Sequence, residues 1–311
     1  MKNKRVVITG GAGFIGSNLA YEMAANNVVI IVDDLSTGRM ENVTGLIDKE
    51  NVTLIKGSIL DRHLLEGALG GADYVFHLAA IPSVPRSLED PLSTNEVNVT
   101  GTLNVLIAAR NKRIKKVVYA SSSSIYGDTP RLPKREGMPP NSLSPYALTK
   151  LVGEYYCRIF HKVYRLPTIC LRYFNVYGPR QNPNSEYAAV IPSFISSVLQ
   201  NERPVIHGDG NQTRDFTFVW DAVQASIIAA ESHATGVFNI GSGGGIAING
   251  LAKTITRILG ADVQPIHEKP RVGDIRHSLA DITSAKNIGY EPRYSLEDGL
   301  RETIRGFVDA S

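Results

Sequence analysis

The sequence predicts an α/β fold, a doubly wound parallel sheet followed by a smaller C-terminal α/β substrate-binding lobe. Two observations carry the prediction. Short β-branched runs alternate with amphipathic helical stretches from Arg5 to Leu171, as they do when parallel strands are joined by helical crossovers. A cluster of glycines also stands between the first such run and the first helix. With 311 residues, 43% hydrophobic and 20% charged, the chain is long enough for one large domain or two intimate ones. The net charge of +3 is spread without a basic stripe, so no nucleic acid is expected as a partner. No apolar run approaches the ~18 residues of a membrane span. The chain opens on a strand without a signal-peptide pattern, and the expected location is the cytoplasm. Cys157 and Cys170 fall inside a predicted helix and strand and read as small buried hydrophobes, with no metal-ligand spacing.

Residues 5–9 (RVVIT) form the first strand, followed at once by GGAGFIG. Gly10, Gly11, Gly13 and Gly16 satisfy G-x-G-x-x-G. Such a loop makes a tight turn, lets backbone approach a pyrophosphate, and opens a helix whose free N–H groups favour the anion. The second strand, 28–32, ends in Asp33 and Asp34. Asp33 lies twenty residues past Gly13, where an acid takes the adenosine ribose hydroxyls and repels a 2′-phosphate, so NAD is expected rather than NADP. The sheet is therefore of the Rossmann type. Strands follow over 52–55, 73–78, 117–120 and 168–171, with helices over 61–69, 92–110 and 143–164. His77 lies inside an apolar run and reads as a satisfied structural histidine.

Residues 117–150 hold the candidate chemistry. An apolar strand runs into four serines, Ser121 to Ser124, and SPYALTK follows at 144–150. Tyr146 and Lys150 are four apart, one turn along a helix face. An ammonium held near a phenol favours the phenolate, which makes Tyr146 a general base near neutral pH with a serine holding the substrate hydroxyl beside it. Past Arg172 the chain turns polar and loop-rich. Helices are expected over 188–199, 221–231, 248–259 and 296–309. The strand near Val237 is expected to rejoin the first sheet through 215–240, leaving 1–171 as the cofactor domain and 172–214 with 241–311 as the substrate lobe. GSGGG at 241–245 reads as a flexible connection rather than a second phosphate loop, since no acid follows at the required distance. Arg214 and Arg271, in separate loops, either clamp a diphosphate or form surface salt bridges.

Taken together, GGAGFIG, Asp33, HLAA (77–80), SSSSIYGD (121–128), YALTK (146–150), RYFNVYGP (172–179), TRDF (213–216) and RVGDIRHSLAD (271–281) resemble the extended short-chain dehydrogenase/reductase family. Within it they are similar to the UDP-sugar 4-epimerases. The resemblance spans nearly the whole chain. It implies that Tyr146 takes the proton of the sugar 4-hydroxyl, Lys150 lowers the tyrosine pKa and holds the nicotinamide ribose, and Ser122 bonds the 4-oxygen. Carbon 4 would be oxidised by a tightly retained NAD, and the keto sugar would turn in the site and be reduced on its other face. The resemblance puts the cofactor along Gly10, Gly13, Phe14, Ile15 and Gly16, then Asp33, Asp34, Ser36, Thr37 and Gly38. Beyond these it runs past Ser58, Ile59, Leu78, Ala79, Ala80, Asn98, Tyr146, Lys150 and Tyr173. It puts the substrate against Ser122, Ser123, Ser124, Tyr146, Asn175, Ala189, Val190, His207, Arg214, Arg271, Asp274 and Ser278. A homodimer through helices 92–110 and 143–164 is also implied.

Relatives that dehydrate or decarboxylate carry carboxylates where this chain has Ser123 and Ser124, so plain redox epimerisation is expected. At the position of Ser278, epimerases restricted to glucose and galactose carry a tyrosine. A serine leaves room for an N-acetyl group, and the run RQNPNSEYAAVIPSFI (180–195) resembles epimerases of UDP-N-acetylhexosamines. UDP-GlcNAc/UDP-GalNAc interconversion is the leading expectation, alongside UDP-glucose/UDP-galactose. UDP-glucuronate stays open, with Arg180 as partner of the carboxylate. A nucleotide-sugar dehydrogenase or reductase with an exchanging cofactor, and a silent NAD-binding protein, are the competing readings.

Overall fold

Alternating β-branched side chains set the layers. Val6 and Ile8 point to one face of the sheet and Val7 to the other, and Val29 and Ile31 are likewise separated from Ile30 and Val32. Both faces are buried, as a parallel sheet covered by helices requires. The computed structural model of the chain describes residues 1–182, 189–270 and 275–308.

In chain order, β1 (Arg5–Thr9) leads through the glycine loop to α1 (Phe14–Ala24) and β2 (Val28–Asp33). After α2 (Thr44–Ile47) come β3 (Val52–Lys56), α3 (Arg62–Ala68) and β4 (Tyr74–His77). Then follow α4 (Val84–Glu89), α5 (Pro91–Asn95), a π turn (Glu96–Gly101) and α6 (Thr102–Asn111). β5 (Lys116–Ser122) runs into a 3₁₀ turn (Ser123–Tyr126), then α7 (Pro145–Tyr164) and β6 (Thr168–Tyr173). The remaining elements are β7 (Val176–Tyr177), α8 (Val190–Leu199), β8 (Val205–His207), β9 (Thr213–Arg214), β10 (Thr217–Phe218), α9 (Val219–Glu231) and β11 (Gly236–Ile240). β12 (Ile246–Ala247), α10 (Ile248–Leu259), β13 (Ile266–Glu268), α11 (Thr283–Lys286) and α12 (Leu296–Val308) close the chain.

Seven strands form one sheet in the order β11-β6-β5-β4-β1-β2-β3, with every pairing parallel. The order reverses between β1 and β4, and ligands of such sheets bind outside the strand ends at that switch point. Register matters for the site: Thr9 lies opposite His77, and Ser122 opposite Tyr173. Leu19, Met23 and Val223 cover one face, while Leu65, Leu106 and Phe160 cover the other. The C-terminal lobe has its own core around Phe194, Ile195, Leu251, Ile255 and Leu300. Its sheets are pairs of two- or three-residue strands, β7 with β10, β9 with β12 and β8 with β13.

Beyond small shifts of element ends, the sequence expectation is corrected at the following places. The helix expected over 92–110 is interrupted by the π turn. The helix expected over 143–164 starts at Pro145 because Ser144 caps it, its Oγ accepting from Ala147 N at 3.2 Å; a serine cap is worth about 1 kcal/mol. The 241–245 segment is not a loose connection. The Asp215 carboxylate accepts from Ser242 N at 2.7 Å, Gly243 N at 3.1 Å and Ala280 N at 3.1 Å. An anion from the chain itself occupies that loop.

Candidate active site

A cleft of about 760 Å³ opens at the switch point. One wall is made by the ends of β1, β2, β4, β5 and β6, the other by α8, β8 and β9 with the segment around His277 and Ser278.

At the sheet end, Gly10 has φ +71°, and a Cβ there would lie 2.6 Å from Ala79 N. A Cβ on Gly16 would lie 2.1 Å from Gly10 O. No side chain caps α1, whose first turn contains no acid, so its N–H groups are available to an anion. The buried Asp33 accepts from Ala12 N and Leu35 N, both at 2.9 Å. Burial pushes its carboxyl up, and the two N–H groups pull it back. Asp34 accepts from Ser36 N and Oγ at 2.9 and 2.6 Å. Phe14, Ile15, Thr37, Ile59, Leu78, Ala79 and Ala80 line the same stretch. A side-chain-free loop, an uncapped helix start and a strand-end carboxylate fit a dinucleotide.

The hydroxyl cluster stands in the middle. Ser122 Oγ accepts from Ser124 N at 3.2 Å and Ser124 Oγ at 2.9 Å. A hydroxyl has two acceptor sites and one proton, so Ser122 has its proton left to donate. Burial pushes the phenol of half-buried Tyr146 up, and the neighbouring Ser122 hydroxyl, a smaller effect, pulls it back. Lys150 is buried, donates to Ala120 O at 2.8 Å, and lies 6.0 Å from the Tyr146 ring centroid and 5.2 Å from that of Tyr119. Desolvation lowers the lysine to about 8. Lys150 and Ser122 thus flank the Tyr146 ring from α7 and from the end of β5.

The lobe end is built from side chains of separate segments. Asn175 donates to Asp215 O at 2.8 Å, Arg214 Nη1 donates to Thr213 O at 3.0 Å, and the buried Ser278 donates its N–H to Thr213 O at 3.1 Å. Ala189, Val190 and His207 line the wall, as do Ser123, Ser124 and Tyr173 nearer the sheet. Among the described lining residues only Asp33 and Asp34 are acidic, whereas Lys134, Lys150, His207, Arg214 and His277 lie beyond them.

Some expected residues sit elsewhere. Asn98 does not line the cleft. It is 1% exposed, accepts from Ile81 N at 2.8 Å and donates to Ile81 O at 3.3 Å and Thr149 Oγ1 at 3.1 Å, so it straps the loop after β4 to α7. Gly38 packs on the Asp33 carboxylate and Ser58 Oγ accepts from Leu60 N at 3.2 Å; both lie beside the cleft. Arg180 does not line the cleft: it donates to Asn18 Oδ1 at 2.6 Å and stacks 4.0 Å from the Tyr21 ring centroid. Arg271, Asp274 and residues 183–188 of the 180–195 run lie outside the described residues. His77 is bonded at both nitrogens, to Thr9 Oγ1 at 2.7 Å and Thr102 Oγ1 at 2.9 Å, and burial lowers it to about 3. The sequence reading passed over Phe194, Gln212, Phe216 and the Pro82–Pro85 stretch, which also line the cleft. Phe216 carried a signal as the end of TRDF and Phe194 as part of the 180–195 run; the others carried none.

The family model described as the NAD dependent epimerase/dehydratase family matches residues 6–241. The chain is similar to a UDP-N-acetylglucosamine 4-epimerase from Methanobrevibacter ruminantium solved in complex with UDP-N-acetylmuramic acid, at 46% identity over 100% of both chains and a TM-score of 0.98. A UDP-glucose 4-epimerase of Mycolicibacterium smegmatis is 39% identical over 99% of each chain. A UDP-glucuronic acid 4-epimerase from Bacillus cereus, solved with UDP-glucuronic acid and NAD, is 32% identical over 99% of this chain and 100% of its own, with a TM-score of 0.92. With a glycine loop and strand-end acid that fit the dinucleotide, the chain belongs to the NAD dependent epimerase/dehydratase family, and NAD is its cofactor.

Proposed function

We propose that this chain is a UDP-sugar 4-epimerase that interconverts UDP-GlcNAc and UDP-GalNAc and accepts UDP-glucose and UDP-galactose as well. The observation that carries the reading is the centre of the cleft: Ser122, Tyr146 and Lys150 stand together, with no carboxylate beside them among the described residues. Hydroxyls hold a sugar and pass one proton, but they cannot supply the acid and base that eliminating water demands. Ser122 donates to the oxygen at carbon 4, Tyr146 receives and returns the proton of that hydroxyl, and Lys150 holds the ribose and keeps a positive charge close to the phenol. Bound NAD supplies a two-electron acceptor for carbon 4 together with a pyridinium charge that favours the phenolate. Asp33 holds the adenosine ribose, and Asn175, Ala189, Val190, His207, Arg214, Arg271 and Asp274 hold the UDP group.

The N-acetyl preference is supported by Ser278, a small buried side chain on the cleft wall, and by the likeness to an N-acetylglucosamine epimerase. Engagement of Arg180 by Asn18 and Tyr21 removes the side chain that would have favoured a uronate. A homodimer fits an apolar stripe on α7, where Leu148, Tyr155, Ile159 and Val163 are exposed, continued by Leu88 and Leu92. Among the described residues no helix is long and apolar enough to cross a membrane.

The test is incubation of purified protein with UDP-GlcNAc, UDP-glucose or UDP-glucuronate without added NAD, with products resolved by proton NMR. The 4-epimer of UDP-GlcNAc should form fastest, with no net reduced cofactor. Turnover that starts only when NAD is added, with reduced cofactor accumulating alongside product, would identify a dehydrogenase instead.

A further inference from the structure

Ser122 and Tyr146 stand on different elements, so their meeting depends on how α7 seats on the sheet. Glu154 follows Tyr146 and Lys150 at four-residue steps on one face of α7. It is 5% exposed, and it does not line the cleft. Its Oε1 accepts from Ser121 Oγ at 2.6 Å and Arg172 Nε at 2.8 Å, and its Oε2 accepts from Arg172 Nη2 at 2.7 Å. Ser121 is the neighbour of Ser122 on β5. Arg172, on β6, also donates to Glu136 O at 3.4 Å and lies 4.8 Å from the ring centroid of Tyr126, which ends the turn bearing Ser123 and Ser124. One carboxylate thus joins α7, β5, β6 and the serine turn. Gly153 permits the close seating, since a Cβ there would lie 2.2 Å from Tyr119 Oη. A buried ion pair adds little net stability because desolvation offsets the attraction, whereas selecting one arrangement is a role such pairs can fill.

We infer that Glu154 is a positioning residue for the reaction: by holding Ser121 and Arg172 it fixes α7 against β5 so that Ser122 meets the Tyr146 hydroxyl. The inference rests on the 4-epimerase reading, which fails separately if the wild-type protein turns nothing over.

The experiment compares Ser121→Ala, Glu154→Gln, their double variant, and Glu154→Gln combined with Arg172→Met. Glu154→Gln should lower kcat on UDP-GlcNAc about 10- to 100-fold, with KM within about twofold. Ser121→Ala should act in the same direction, and the double variant should be no slower than Glu154→Gln. Adding Arg172→Met removes the unpaired buried cation, so it should restore the melting temperature without restoring kcat; it also replaces Glu154→Gln if that variant does not fold. Ultraviolet titration of the Tyr146 phenol, taken as the difference from Tyr146→Phe, gives a readout that needs no turnover. Lys150 faces that phenol from α7 and is kept in every variant. A loosened Ser122 bond raises the phenol pKa, whereas loss of a nearby negative charge alone would lower it. A phenol pKa unchanged or lowered, kcat effects that multiply in the double variant, or kcat returning together with the melting temperature would overturn the inference.

Discussion

The two ends of the cleft are built by different means. At the sheet end the backbone does the binding: Gly10 and Gly16 admit no Cβ, and α1 begins without a cap. The acids there are tied to backbone N–H groups, Asp33 to those of Ala12 in the glycine loop and of Leu35, Asp34 to that of Ser36. Among the described residues the lobe end has no comparable backbone motif. Asn175, Arg214 and Ser278 are brought in from three segments, braced on Thr213 and Asp215, and the charge carriers are cations. A ligand with a ribose at one end and a diphosphate at the other meets hydrogen-bond acceptors first and donors last. The hydroxyl centre between them is neutral apart from Lys150.

Breaking the centre should have the largest effect. Tyr146→Phe should lower kcat about 10²- to 10⁴-fold, while the cofactor stays with the protein, as measured by NAD released on denaturation. Breaking the sheet end should do the reverse. In Gly16→Ala the new methyl meets Gly10 O, so NAD content per chain should fall and added NAD should be needed for turnover. A variant that keeps its full NAD would contradict the backbone account of that end. At the lobe end, Ser278→Tyr should abolish turnover of UDP-GlcNAc and spare UDP-glucose, read as kcat/KM for each; equal loss of both would exclude Ser278 as the residue that admits the N-acetyl group. Arg214→Ala should raise KM about 10- to 100-fold, the worth of one charge-assisted contact, with kcat changed less.

The last effect is on stability rather than turnover and concerns Lys150. Burial lowers Lys150 from 10.5 to about 8. Between those values the unfolded chain binds a proton that the folded chain does not, so stability rises with pH across this window. Below pH 8 the folded protein carries the full cost of the buried charge, about 3 kcal/mol. Lys150→Met has no such group. Its gain in urea midpoint over the cofactor-free wild type should be greatest below pH 8 and fade towards pH 10.5.

The same contrast explains what could be read from the sequence. The sheet end was legible because glycines, β-branched runs and a strand-end acid act through local backbone, at fixed spacing. The seat of Asn98 was not, since the extra residue of the π turn moves it off the 3.6-residue pattern and onto Ile81. Arg180 was misplaced because its left-handed backbone, φ +68°, turns it towards Tyr21, which no spacing reveals. The 241–245 loop looked loose because the carboxylate that orders it comes from Asp215, far back in the chain. At the lobe end, Gln212 and Phe194 reach the cleft only through tertiary folding.

The most direct test of redox epimerisation at a retained cofactor uses UDP-GlcNAc carrying deuterium at carbon 4, incubated with purified protein in ordinary water and without added NAD. UDP-GalNAc with the deuterium still on carbon 4 is the predicted product, because the hydrogen leaves and returns within one closed site. Product with hydrogen from water at carbon 4 would mean exchange with solvent, and would contradict the account.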